Sequence, residues 1–63
     1  MQVATNHDDL LTVDELAALL KIPKATLYSW RYISYGPPSI KVGRYLRYRN
    51  TEVTRWIAEQ TAR

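Results

Sequence analysis

Gly36-Pro37-Pro38 splits this chain into two parts that must fold by different rules. Proline has no amide hydrogen to give a helix, and it pushes the residue before it out of helical geometry. No helix can run through this segment, so the helical signals on its two sides belong to separate elements.

The part before the break reads as two short helices. Thr12 and Glu15 have the S/T-x-x-E spacing of a capping box, in which each side chain satisfies the other residue's unpaired amide. Leu11 and Leu16 occupy the two positions of a hydrophobic staple. Leu16, Leu19 and Leu20 supply the apolar stripe of a first helix ending near Leu20. Lys21-Ile22-Pro23 has room only for a tight turn, and Pro23 suits the start of a second helix running from about Lys24 to Ile33. With Leu27 and Trp30 turned inward, the opposite face of that helix carries Ala25, Tyr28, Ser29 and Tyr32, flanked by Lys24 and Thr26. Two short helices joined by about three residues make a helix-turn-helix unit.

After the break, Ser39 to Val42 and Leu46 to Tyr48 read as two strands around Gly43. A two-residue loop would set Lys41 opposite Leu46, mixing charged and apolar groups on one face. A three-residue loop, Gly43-Arg44-Tyr45, pairs Val42 with Leu46 and Ile40 with Tyr48 and leaves Lys41 and Arg47 on a shared outer face, so that register is expected. Asn50 is expected to cap a last helix, in which Val53, Trp56, Ile57 and Gln60 follow the i, i+3, i+4, i+7 pattern and Glu52 lies in the first turn. The expected fold is mainly α with a small β-hairpin: three helices plus a two-stranded wing over residues 10–63, behind a flexible N-terminal tail of residues 1–9.

Sixty-three residues allow one domain. A chain of this length buries only ~60% of its unfolded surface, so Leu, Ile, Val and two Trp must make a dense core. There is no cysteine, hence no disulfide and no thiolate metal site. No apolar run reaches signal-peptide length or the ~20 residues of a membrane span, so a soluble intracellular protein without a membrane partner is expected. His7-Asp8-Asp9 resembles a metal cluster only superficially, because adjacent tail residues rarely converge on one ion and no second histidine completes a site. No nucleophile–base pair, paired carboxylates or glycine-rich phosphate loop is present, so neither catalysis nor a cofactor is expected.

Charge narrows the partner. Between Leu16 and Thr51 there is no aspartate or glutamate, yet Lys21, Lys24, Arg31, Lys41, Arg44, Arg47 and Arg49 fall there, leaving only two of the nine basic residues outside. The net charge of +3 understates this one-sign field, and the commonest polyanion for a small basic domain is nucleic acid. The second helix is the candidate reader of a major groove. Thr26, Tyr28 and Ser29 can hydrogen-bond bases or phosphates, Ala25 can pack on a thymine methyl, and Lys24 and Arg31 can reach the backbone. Tyr28 and Tyr32 would serve equally well as half-buried packing. In the wing, Arg44 at the tip can enter a minor groove while Lys41 and Arg47 neutralise phosphate, with Tyr45 beside them. The same charges would also guard a sheet edge against aggregation. Trp30 and Trp56 invite stacking on single strands, but both lie on core faces of helices, and packing is the reading adopted. If about five of the groove and wing residues Lys24, Thr26, Tyr28, Ser29, Arg31, Lys41, Arg44 and Arg47 neutralise phosphates, the slope of log K against log salt is expected near −4.5, from ~0.9 per contact.

The stretch from Leu11 to Ile57 resembles the excisionase-like winged helix-turn-helix domains of phages and mobile elements, relatives of the MerR-type DNA-binding domain. Leu11-Thr12-Val13-Asp14-Glu15-Leu16-Ala17, Thr26-Leu27-Tyr28-Ser29-Trp30-Arg31, Gly36-Pro37-Pro38, the wing Ile40 to Tyr48, and Val53 with Trp56 carry the resemblance. It implies cooperative binding to tandem duplex sites, self-association along DNA, DNA bending, and partnership with a phage-type tyrosine integrase whose direction the protein would set, in the cytoplasm of a bacterial host. The chain departs from the family in having Lys21-Ile22-Pro23 where a glycine turn and serine cap are usual. It also has Ala25 and Ser29 where long polar readers are usual, so positioning on the backbone is expected to outweigh base readout. A small transcriptional regulator of prophage genes is the alternative within DNA binding. A protein–protein adaptor docking on an acidic partner is the alternative outside it.

Overall fold

The computed structural model describes residues 9–61. In chain order the elements are β1 (Leu10–Leu11), α1 (Val13–Leu20), α2 (Lys24–Tyr32), β2 (Ile40–Val42), β3 (Tyr45–Arg49) and α3 (Asn50–Thr61). Three helices and a hairpin are present as expected. Of the expected tail, residues 1–8 lie outside the described residues; the Asp9 carbonyl accepts a bond from the Asn50 amide at 3.0 Å. The expectation for His7 and Asp8 falls outside the described residues as well.

The first helix starts as its sequence demands. The Glu15 amide donates to Thr12 Oγ1 at 3.0 Å, and the Thr12 amide donates to Glu15 Oε1 at 2.9 Å. Leu11 packs on the core beside it. The inward stripe is Val13, Leu16, Ala17 and Leu20, an i, i+3, i+4, i+7 series. Leu19 was expected in that stripe, but at 100° per residue it falls outside it and is 53% exposed.

Both front helices stop in the same way. Lys21 (φ 60) and Ser34 (φ 59) adopt the left-handed conformation. The Ile22 amide bonds the Ala17 carbonyl at 3.0 Å and the Lys21 amide bonds Ala18 at 3.2 Å. One helix later, Tyr35 bonds Trp30 at 2.8 Å and Ser34 bonds Arg31 at 3.2 Å. These paired 6→1 and 5→2 bonds are Schellman motifs, each with a side-chain-bearing residue where glycine is commonest. The accompanying apolar contact of the second motif is Tyr35 edge-on to Trp30, with ring centroids 5.0 Å apart. Trp56 of α3 closes the cluster, 5.7 Å from Trp30 and 6.0 Å from Tyr35. The two tryptophans thus pack structurally, as the sequence reading holds.

Pro23 stands one residue before α2 in extended geometry, in the cap position and not inside the helix. Asn50 likewise differs by one position: it is the first residue of α3, and its amide is used by Asp9. Leu16, Leu27 and Val53, one from each helix, are fully buried and meet Val13, Ala17 and Tyr48 in the core. In α3, Trp56 and Ile57 lie half-buried and Gln60 is exposed, its Nε2 donating to the Trp56 carbonyl at 3.2 Å.

The sheet corrects the sequence reading twice. It has three strands in the order β1-β3-β2, because Leu10 and Leu11 pair antiparallel with Arg49 and Tyr48. The hairpin register is Ile40↔Arg47, Lys41↔Leu46, Val42↔Tyr45, which leaves a two-residue loop, Gly43-Arg44, in place of the expected three. The positive φ of 65° falls on Gly43 and not on Arg44, the pattern of a type II′ turn, whose twist matches that of paired strands. Polarity misleads because β2 has no buried residue to pin it: Ile40 is only half-buried, and Lys41 and Val42 are exposed. The consequence is functional. Lys41 lies on the Leu46 and Tyr48 face, whereas Arg47 shares the opposite face with Tyr45, so the two cations do not share an outer face.

Candidate nucleic-acid interface

Helix α2 is held from beneath by Leu27 and Trp30, which fixes what it shows to solvent. Ala25, Tyr28, Ser29 and Tyr32 form that outer face, with Tyr28 52% and Tyr32 90% exposed. Thr26 is half-buried, and its amide returns to the Pro23 carbonyl at 3.0 Å. No side chain caps the start of α2, because proline stands in the cap position. Its first amides therefore lack the partner that a serine or aspartate would give.

The wing is shaped by its turn. Arg44 is exposed at the tip and has no ion-pair partner among the described residues. Arg47 is more constrained: its Nη1 donates to the Leu46 carbonyl at 2.9 Å, and its guanidinium lies 5.3 Å from the centre of the Tyr45 ring. Between the start of α1, α2 and the wing lies an open groove of about 410 Å³, lined by Thr12, Val13, Asp14, Lys24, Tyr28, Arg44, Tyr45, Leu46 and Arg47. Five of the residues singled out in the sequence therefore face one concavity. Arg31 lines a second groove of about 500 Å³, with Ser34, Ser39 and the Gly36-Pro37-Pro38 joint. Lys41 lines neither.

The basic field is not acid-free in three dimensions. Asp14, which the sequence places outside the basic stretch, reaches across from α1 and holds Lys24 Nζ at 2.9 Å. The hydrogen bond and charge of that carboxylate push the Lys24 ammonium above its ordinary pKa. Tyr48 belongs to the core cluster and is 2% exposed. Burial raises its phenol pKa, the nearby Arg31 charge works in the opposite direction, and Tyr28 adds to the rise. Sequence reasoning missed Asp14 and Thr12 as groove residues, since nothing local signals their approach to α2. Arg49 is exposed on the same strand face as Tyr45 and Arg47 but lines neither groove.

Among the described residues no three His, Asp or Glu converge on a position that could hold a metal, and no helix is long and apolar enough to cross a membrane.

A helix-turn-helix whose second helix is exposed, followed by a basic two-stranded wing on a three-stranded sheet, defines the winged helix-turn-helix class. The chain belongs to the helix-turn-helix domain family, whose model matches residues 10–61. No curated protein and no solved structure matches it. Membership makes this a DNA-binding domain, of a family typically without enzymatic activity and one that includes excisionase-like DNA-binding proteins.

Proposed function

We propose that this chain binds duplex DNA with α2 in the major groove and the wing in the adjacent minor groove, bends it, and acts as an excisionase-type directionality factor for a phage-type tyrosine integrase. One observation carries the binding mode: Lys24 and Tyr28 of α2 and Arg44, Tyr45 and Arg47 of the wing face a single open groove. A groove bounded by a helix and a basic hairpin suits two prongs gripping adjacent grooves of one duplex.

In this reading Ala25, Tyr28, Ser29 and Tyr32 lie along the base edges, with Thr26 at their flank. The small size of Ala25 and Ser29 leaves tyrosine hydroxyls and a thymine methyl as the principal sources of direct readout. The uncapped amides of α2 attract a backbone phosphate. Arg31 grips the rim at the other end of the helix, and Arg44 enters the minor groove, preferring the narrow groove of A·T-rich DNA. Lys41 and Arg47, on opposite faces of the wing, can straddle the two phosphate walls of that minor groove. Self-association along tandem sites would then multiply the bend.

Gel mobility with the genomic DNA flanking the chain's own gene tests duplex binding: a specific shift is expected, and its absence favours an adaptor for an acidic protein. An excision assay with the neighbouring integrase, beside a promoter fusion, tests the role. Excision that depends on this chain supports the directionality factor; promoter control without any effect on excision makes it a transcriptional regulator.

A further inference from the structure

The Asp14–Lys24 pair stands where a DNA phosphate would be expected to bind, and it belongs to the groove rather than to the core. Both side chains are largely exposed, at 76% and 51%. Exposed pairs of this kind contribute little to stability, so holding the fold together is a weak reason for the contact. Glu15, the neighbouring acid, is engaged with the Thr12 amide within its own helix, so Asp14 alone crosses to α2. Lys24 is the first residue of α2, the end of the helix that already attracts anions.

Resting on the DNA-binding reading above, we infer that Asp14 is a specificity-determining residue that cancels the Lys24 charge against DNA backbone and so suppresses binding to arbitrary sequence. Water lets a phosphate compete with Asp14 for Lys24 at little cost. The carboxylate, however, does not leave: it stays anchored in the first turn of α1 on the wall of the same groove. Whichever anion holds Lys24, the other is left facing it, and the release of one counterion is lost. Arg31, Lys41, Arg44 and Arg47 have no such partner among the described residues. Four of the five expected phosphate contacts therefore count fully, and the fifth is held in check. A chain with modest base readout gains selectivity from this, because weakening the sequence-independent term raises the ratio of specific to non-specific binding.

Fluorescence titration of a short random-sequence duplex over a range of salt tests the inference with the whole chain and three variants. For the unaltered chain the slope of log K against log salt should be about −3.6, from four contacts at ~0.9 each. Asp14→Asn should steepen it to about −4.5 and strengthen binding about threefold more at 50 mM than at 200 mM salt. Lys24→Gln leaves Asp14 uncompensated beside the DNA and should flatten the slope to about −2.7, and the double variant, with both charges gone, should return it to about −3.6. Circular dichroism checks that each variant is folded, and Asp14→Ser serves if the asparagine variant is not. An unchanged slope in Asp14→Asn, or a slope in the double variant flatter by a full contact than that of the unaltered chain, overturns the inference while leaving DNA binding intact. Failure of the unaltered chain to bind any duplex overturns the DNA-binding reading, and the charge filter with it.

Discussion

A Cβ atom placed on Gly36 would stand 2.8 Å from Cε3 of the Trp30 ring. Gly36 also has φ +90, a conformation that side-chain-bearing residues rarely adopt. Two constraints thus converge on the residue that turns the chain from α2 toward the wing. The ring it touches is the one that Tyr35 and Trp56 enclose. Gly36→Ala should cost about 2–3 kcal/mol, from backbone strain together with forced movement of the indole. Gly43, with φ +65 and nothing within 4 Å of its would-be Cβ, should cost only about 1 kcal/mol when changed to alanine. Urea denaturation of both variants measures the difference; equal costs would contradict this account of the joint.

Ser34 occupies the left-handed position of the second Schellman motif. Ser34→Gly should stabilise the fold by about 0.5–1 kcal/mol, because relief of the strain exceeds the added freedom of the unfolded chain. A rise in thermal midpoint is the expected reading, and a fall would show that Ser34 is held by something other than backbone geometry.

Alkaline pH should expose Tyr48. Its phenol is raised above the ordinary value of 10.0 by burial, so above that pH the unfolded chain gives up this proton before the folded one does. The folded state then binds more protons than the unfolded, and stability falls as pH rises, from the unfolded value up through the higher folded one. Tyr48→Phe has no such proton. The stability difference between Tyr48→Phe and the unaltered chain should therefore move in the variant's favour as pH rises from 10.0 upward. A difference that does not change with pH would mean the hydroxyl is not desolvated.

Arg44→Ala should weaken duplex binding and reduce the preference for A·T-rich over G·C-rich DNA, since the tip guanidinium is the group proposed for the minor groove. Competition with duplexes of the two compositions is the measurement. Unchanged affinity and preference would remove the wing from the grip.

What could be read from the sequence was local in the chain. The capping box of Thr12 and Glu15 and the inward Leu27 and Val53 depend on neighbours three or four residues away, and the structure has them as expected. The parts that escaped depend on distant partners or on turn geometry. Leu10-Leu11 is too short to announce a strand, and becomes one only because Tyr48 and Arg49 lie beside it. The wing register follows the Gly43 turn, since β2 carries no buried residue to enforce a different pairing. Asp14 meets Lys24 only after α1 and α2 have packed, so a charge count along the chain overstated the basic field at the groove.

The central claim is that this domain grips duplex DNA chiefly through its backbone, with α2 and the wing acting together. The most direct test is the salt dependence of binding to a duplex carrying the chain's own flanking sequence. The account predicts a linear plot of log K against log salt with a slope near −3.6, from about four phosphate contacts. A slope near zero, or no binding at low salt, would contradict it.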